Sequence, residues 1–188
     1  MQEQRKVWKE AQGLLDIHKL VFLDETWTST KMTRNYGRSE KGKRLVCHVP
    51  NGHWETTTFV AGLRCDGLTA PLVTDGPMSG VVFLQYVLQE LCQTLNTGDI
   101  VIMDNLSSHK VAGVREAIEA TGAKLRYLPP YSPDLNPIEK LFAKLKALLR
   151  KAAERTTESL WNTIGNLLDS FSGTECVNYF RSSGYVND

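Results

Sequence analysis

The sequence predicts one mixed α/β domain, a central sheet flanked by helices. Three observations lead there. Residues 20–23, 100–103 and 125–128 are short apolar runs that read as buried strands, and the first two are each followed at once by an acid, Asp24 and Asp104. The later runs alternate with segments at helical spacing, which implies right-handed parallel crossovers. The earlier half instead reads as consecutive antiparallel strands, with Asn51-Gly52 as a hairpin signal.

The chain has 188 residues, 41% of them hydrophobic, enough for one domain with a sizeable core. Over residues 1–18, Val7, Trp8, Ala11, Leu14 and Leu15 fall at helical spacing and read as an amphipathic helix preceding a domain over 19–188. The strand at 20–23 delivers Asp24 at its end. A polar, basic loop over 26–43 follows, then strands over 44–49 and 56–63 and a short one over 71–74. Residues 80–95 have helical period up to the Thr97-Gly98 break, and 100–103 delivers Asp104. A helix over 111–120 is closed by Gly122 before the strand at 125–128. Helices over 138–153, 157–171 and 175–180 complete the chain. A mixed five-stranded sheet of this order is the arrangement of ribonuclease-H-like folds.

No apolar run approaches the ~18 residues of a membrane span, and the start lacks the apolar stretch of a signal peptide. Cys47, Cys65, Cys92 and Cys176 form no Cys-x-x-Cys pair, so reduced thiols in a cytoplasmic protein are expected, with no membrane partner. The formal net charge is only +1, but it is unevenly spread. Residues 31–64 hold seven Lys/Arg against Glu40 and Glu55, net +5; residues 138–155 hold six against Glu139 and Glu154, net +4. Two basic regions in a neutral chain suit a polyanion along one face, although charge runs alone are slightly more often solvated surface.

The chemistry centres on 125–141, Leu-Arg-Tyr-Leu-Pro-Pro-Tyr-Ser-Pro-Asp-Leu-Asn-Pro-Ile-Glu-Lys-Leu. A strand breaks at Pro129-Pro130, and a helix opens with Asn136 as its expected N-cap and Pro137 at its first position. Glu139 then stands in the first turn, where the helix dipole tolerates a carboxylate. Alone, such an acid does no more than stabilise a helix. Strands ending in Asp24 and Asp104 change this, because ligands of open α/β sheets gather at the carboxyl edge. If the first and fourth strands are neighbours, three carboxylates converge and repel unless a hard divalent cation joins them. Two such ions about 4 Å apart activate a water and stabilise the leaving oxygen of a phosphodiester.

Val-Phe-Leu-Asp24-Glu-Thr-Trp, Val-Ile-Met-Asp104-Asn-Leu-Ser-Ser-His109-Lys and Pro-Pro-Tyr-Ser-Pro-Asp-Leu-Asn-Pro-Ile-Glu139 resemble the three acidic motifs of DDE transposases, in particular the mariner-like superfamily and its bacterial insertion-sequence members. Thirty-four residues separate Asp104 from Glu139, a spacing such families show. The resemblance covers roughly residues 20–185. It implies a Mg²⁺- or Mn²⁺-dependent enzyme with Asp24, Asp104 and Glu139 as ligands of two ions. Water would attack at a transposon end, and the freed 3′-hydroxyl would then attack target DNA. It also implies double-stranded DNA as partner, a homodimer holding paired ends, and association with the nucleoid. Family members carry helix-turn-helix modules before this domain. None is legible here, so residues 1–18 are expected to link to such a region or the module to be a separate subunit.

Other residues are expected to assist. Asn105 and His109, just after the second acid, either orient groups around the site or merely secure a turn. Glu139, Ala143, Lys146 and Arg150 share one helix face, which would carry Lys146 and Arg150 along a DNA backbone, while Leu141, Leu145 and Leu148 face the core. Arg34, Tyr36, Arg38, Lys41, Lys43 and Arg44 form a basic loop suited to phosphate contact. Trp27 is expected to pack on the sheet, and Lys140 and Lys144 to be plain surface. Gly37-x-x-x-x-Gly42-Lys43 imitates a phosphate-binding loop but is followed by Arg44 rather than Ser or Thr. Cys47, His48, His53 and Cys65 make a poor zinc set, since neighbours on a strand point to opposite faces. Two rival functions share these features: a ribonuclease-H-like nuclease unconnected with transposition, and a non-enzymatic DNA-binding protein derived from a transposase.

Overall fold

The computed structural model describes residues 2–186; Met1, Asn187 and Asp188, the outermost residues of the two expected segments, lie outside the described residues. Strand β1 (Leu20–Ser29) is the axis of the sheet. On one side it pairs antiparallel with β2 (Thr56–Arg64), which pairs antiparallel with β3 (Gly67–Asp75). On the other it runs parallel to β4 (Ile100–Met103), and β4 runs parallel to β5 (Lys124–Tyr127). The order β3-β2-β1-β4-β5 is the mixed five-stranded sheet that the sequence predicts.

The helices are α1 (Gln2–Gln12), α2 (Gly80–Tyr86), α3 (Cys92–Thr94), α4 (Val114–Ala120), α5 (Ile138–Ala152), α6 (Thr157–Leu168) and α7 (Gly173–Ser182). A π-helical stretch, Val87–Leu91, joins α2 to α3. Side-chain alternation along β1 sorts them into two layers. Leu20 and Phe22 enter a core with Phe59, Ala61, Leu63 and Ile102, closed by α5, α6 and α7. Val21 and Leu23 enter a second core with Val60, Val101 and Met103, closed by α2, the π-helical stretch and α4. In the first core Phe22 meets Phe180 and Tyr185 edge-on, with centroids 5.4 and 4.9 Å apart. Contacts of this kind are worth about 0.5–1.5 kcal/mol each beyond the area they bury.

Several elements differ from expectation. No strand forms over residues 44–49 and Asn51-Gly52 closes no hairpin; Leu45, Val46 and Val49 are exposed in a long loop. The edge of β1 that such a strand would need is taken by β2, from Ser29↔Thr56 to Phe22↔Leu63. The true hairpin joins β2 to β3, where Arg64 pairs with Gly67 around Cys65-Asp66. Pairing with β2 extends β1 through its polar residues to Ser29 and lengthens the expected 71–74 strand to nine residues.

Helix α1 stops at Gln12, leaving Leu14 exposed, and Asp16 then caps a short 3-10 turn by accepting the His18 N–H at 3.0 Å. Helix α4 begins only after Gly113, whose φ of 94° is left-handed. Helix α5 ends where Ala153 adopts a φ of 58°, α6 stops at Leu168, and α7 is longer than expected. Among the described residues no helix is long and apolar enough to cross a membrane.

Candidate active site

β1 outruns its parallel neighbour. Its pairing with β4 ends at Phe22↔Ile102, while the strand continues to Ser29. Asp24 is therefore inside a strand, opposite Ala61, rather than at a strand end as predicted. It lies at the level where β4 gives out and the chain turns at Asp104. Alternation from Phe22 directs Asp24 to the α5 side of the sheet, and α5 carries Glu139 in its first turn. Asp24, Asp104 and Glu139 line one cavity of about 590 Å³, together with Asn105, Lys110, Pro129, Pro130, Tyr131 and Asn136.

The three acids differ in setting. Asp24 is only 5% exposed. Its Oδ1 accepts the Glu25 backbone N–H at 2.8 Å, and its Oδ2 accepts an amide N–H of Asn136 at 2.8 Å. Burial, followed by the negative charges of Asp104 and Glu139, pushes its carboxyl up to about 7. Asp104 is half-buried, and its Oδ1 accepts the Leu106 N–H at 3.0 Å in a tight turn. Glu139 borders the cavity from the first turn of α5.

His109 joins the first two motifs. It is fully buried, with Nε2 2.6 Å from Glu25 Oε2 and Nδ1 2.7 Å from Asp104 Oδ1. The Nδ1 contact is an ion-pair approach outside hydrogen-bond alignment. The ring lies against Phe83, centroids 4.5 Å apart. Burial alone would push the imidazole down, but the contacts to Asp104 and Glu25 outweigh it and hold it up at about 9. Burial likewise pushes Asp104 up, and the contact with His109 reverses the direction, leaving it below the usual carboxylate range. Asn105 serves another purpose. Its Nδ2 donates to the Leu128 carbonyl at 3.0 Å, fastening the turn after β4 to the end of β5.

Asn136 is not the N-cap that the sequence predicts. Pro137 occupies that position without a side-chain cap, and the Asn136 side chain, 3% exposed, turns to Asp24. A hydrogen bond to a buried carboxylate is stronger than one to a solvated helix terminus, and the carboxylate wins the donor. The sequence carried a signal for this contact: Asn136 stands three residues before an acid expected at the same spot. Glu25 carried none beyond adjacency to Asp24.

The basic residues divide. Arg34, Arg38, Lys41, Lys43 and Arg44 lie in the exposed loop and do not line the acidic cavity; Lys43 pairs with Glu40. Lys146 packs over the Trp27 ring, 4.7 Å from its centroid. Burial lowers its pKa, while the charges of Glu139 and Asp24 act in the opposite sense. Arg150 lines a second cavity of about 540 Å³ with Trp27, Lys31 and Trp54. Trp27 itself is 58% exposed rather than packed into the sheet, because β1 runs past the core at that point.

Lys140 and Lys144 are not plain surface: they bond Ser183 Oγ at 2.9 Å and Glu175 at 2.7 Å, tying α5 to α7. On α5 it is Leu149, not Leu148, that completes the buried stripe. Cys47, His48 and His53 stay in the exposed loop while Cys65 is buried with its Sγ 3.3 Å from His18 Nδ1, so no zinc set assembles.

Among the described residues no three His, Cys, Asp or Glu already surround one ion position. The donor chemistry nevertheless fits a hard divalent cation. Three carboxylates line one cavity, and burial with mutual repulsion holds one of them far from its ordinary titration.

Sheet order, flanking layers and acid-lined cavity define a ribonuclease-H-like domain. The chain belongs to the DDE superfamily endonucleases, whose family model matches residues 19–160. Its fold is similar to that of the Mos1 transposase paired-end complex with left transposon end, with a TM-score of 0.80 and 18% identity over 97% of this chain and 57% of that one. The pre-cleavage Mos1 transpososome gives a TM-score of 0.78 and 17% identity over 98% of this chain and 60% of that one. The catalytic domain of Mos1 mariner transposase gives 0.70 and 17%, over 98% and 90%. The chain thus spans less than two thirds of the longer transposase chains it matches. Mos1 paired-end complexes were solved with Mn and with Mg. No curated protein sequence matches.

Proposed function

We propose that this chain is the catalytic domain of a DNA transposase of the mariner-like superfamily, of the bacterial insertion-sequence type, with Asp24, Asp104 and Glu139 as its catalytic acids. The observation that carries the proposal is that three acids from three separate motifs, spaced over most of the chain, line one cavity at the carboxyl edge of the parallel strands.

Asp24, Asp104 and Glu139 would hold Mg²⁺ or Mn²⁺, two ions when DNA is bound. The chemistry a metal held there would supply is polarisation of a phosphodiester and a lowered pKa of bound water. The protein's own part is orientation. The Glu25 N–H and Asn136 fix the two oxygens of Asp24, and the buried His109 holds Asp104 ionised between turn and strand. Lys146, on the Glu139 face of α5, and Arg150, one turn further on, are suited to phosphates entering the cavity, and the loop carrying Arg34, Arg38, Lys41, Lys43 and Arg44 to the flanking backbone. Hydrolysis at a transposon end followed by attack of the freed 3′-hydroxyl on target DNA is the reaction sequence that this site would serve.

We further assign residues 1–18 as the link to a helix-turn-helix DNA-binding region, in the same chain or in a separate subunit, and 19–188 as the catalytic domain. The partners would be double-stranded DNA and a second copy holding the other transposon end, in the nucleoid of the cytoplasm. The test is Mn²⁺-dependent nicking of supercoiled plasmid by this chain beside Glu139→Gln, purified identically. Nicking should fall to background in the variant, with the circular dichroism spectrum unchanged. Equal nicking by both proteins would sink the assignment. Preference for RNA–DNA hybrid over duplex DNA would favour a nuclease unconnected with transposition.

A further inference from the structure

Asn136 is in an unusual position for a buried amide. Its Nδ2 donates to Asp24 Oδ2 at 2.8 Å, while its own Oδ1 is buried with no hydrogen-bond partner. Of the buried side-chain atoms left in that condition among the described residues, it alone belongs to a residue lining the acidic cavity. An unmatched buried acceptor is costly and calls for a reason. With Asp24 ionised, as a metal ligand must be, rotating the amide by half a turn would set oxygen against oxygen, so the orientation follows from Asp24. The geometry also divides the hold on that carboxylate. Backbone of the first motif holds Oδ1 and a side chain of the third motif holds Oδ2, both at 2.8 Å. The remaining lone pairs of Asp24 are those left for the cavity.

We infer that Asn136 is a positioning residue for the first acid, a tie across the sheet that fixes the Asp24 carboxylate in the attitude a divalent cation needs. The inference rests on the metal-dependent reading above. It differs from a helix-capping or packing role in what it predicts: loss of Asn136 should be felt in metal affinity, and only through Asp24. Groups of this kind, bonded to a ligating side chain without touching the ion, are worth about 10- to 100-fold in affinity when removed.

The experiment is Mn²⁺ binding followed by electron paramagnetic resonance for the unaltered chain, Asn136→Ala, the near-isosteric Asn136→Leu, Asp24→Asn, Asp104→Asn and the double variant Asp24→Asn with Asn136→Ala. Circular dichroism establishes that each is folded. Asn136→Ala and Asn136→Leu should each raise the Mn²⁺ Kd about 10- to 100-fold. In the Asp24→Asn background the second substitution should change nothing further. An unchanged Kd in either folded single variant overturns the inference, as does a full additional loss in the double variant, which would mean that Asn136 acts elsewhere.

If the unaltered chain and Asp104→Asn bind Mn²⁺ alike, the metal reading itself falls. The tie is then judged on the metal-free protein by the side-chain amide resonance of Asn136. It should be slow to exchange and should shift in Asp24→Asn. A freely exchanging, unshifted resonance would overturn the tie independently.

Discussion

Asp99 is the most deeply committed charge outside the cavity. It is fully buried, and its Oδ2 receives the Arg64 guanidinium at 2.6 Å and the Asn96 N–H at 2.8 Å. Arg64 also reaches the Thr94 carbonyl at 2.9 Å, so one cation closes the end of β2 onto the turn that launches β4. Removing one partner of such a pair strands the other charge in the interior, at a cost of about 3–5 kcal/mol. Arg64→Ala should therefore lower the urea unfolding free energy by about that amount. A change below about 1 kcal/mol would mean that Asp99 is reached by water instead. The Asp24 and Asn136 pair uses the same physics at the cavity, but there the partner is a neutral amide and the carboxylate stays close to protonation at neutral pH.

At the scale of elements, the segment between β5 and α5 is held from outside by α1. Arg5 donates to Asp134 at 2.8 and 2.9 Å, to Ser132 Oγ at 2.7 Å and to the Tyr131 carbonyl at 3.2 Å. Trp8 donates to Tyr185 Oη at 2.9 Å, and that hydroxyl donates in turn to the Leu135 carbonyl at 2.8 Å. The N-terminal helix is thus bound to the turn that ends in Asn136. The hydrogen bond from Arg5 holds Asp134 below its ordinary value of 3.8. A depressed acid contributes stability that is present above the unfolded pKa and lost as pH falls through the folded one. Hydrogen exchange in α1 should accordingly speed up relative to the sheet as pH drops below about 3.8, after correction for intrinsic rates. In Asp134→Asn that step should be absent; if it persists, another group holds α1.

Elements also differ in how legible they were in the sequence. The apolar run of β4 and most of the stripe of α5 were plain, because burial selects apolar side chains there. The polar half of β1 was not, since Glu25–Ser29 become strand only by pairing with β2. Asn51-Gly52 outshone the true turn at Cys65-Asp66 because local turn chemistry says nothing about which strand edge is free. The acids were readable as motifs, and so was His109 beside the second of them, whereas the hold of Asn136 on the first was not. Asn136 looked like a cap, and its contact with Asp24 spans 112 positions in the chain.

Across the whole molecule, one sheet separates two cores, and the parity of β1 decides which face receives the acids. Leu20, Phe22 and Asp24 point one way, Val21 and Leu23 the other. On the opposite face, beside α4, the helices that follow β3 must span from its end to the start of β4. They do so with a π-helical stretch in which the Cys92 N–H bonds the Val87 carbonyl, five residues back rather than four. Such a single turn takes in one more residue than an α-helical turn does. Phe83, Tyr86, Val87 and Leu91 are buried, while Leu88, Gln89 and Glu90 between the last two are exposed.

At Val87–Leu91 the helix between β3 and β4 carries one residue more than α-helical pitch would need. Deleting Gln89 should convert the stretch to ordinary α-helix, leave the heteronuclear NMR spectrum of the sheet in place and keep the thermal midpoint within a few degrees. Collapse of the fold on that deletion would show that the extra residue is needed for the packing of the second core. Retention would mark this helix as the place where the lineage can gain or lose length without touching its chemistry.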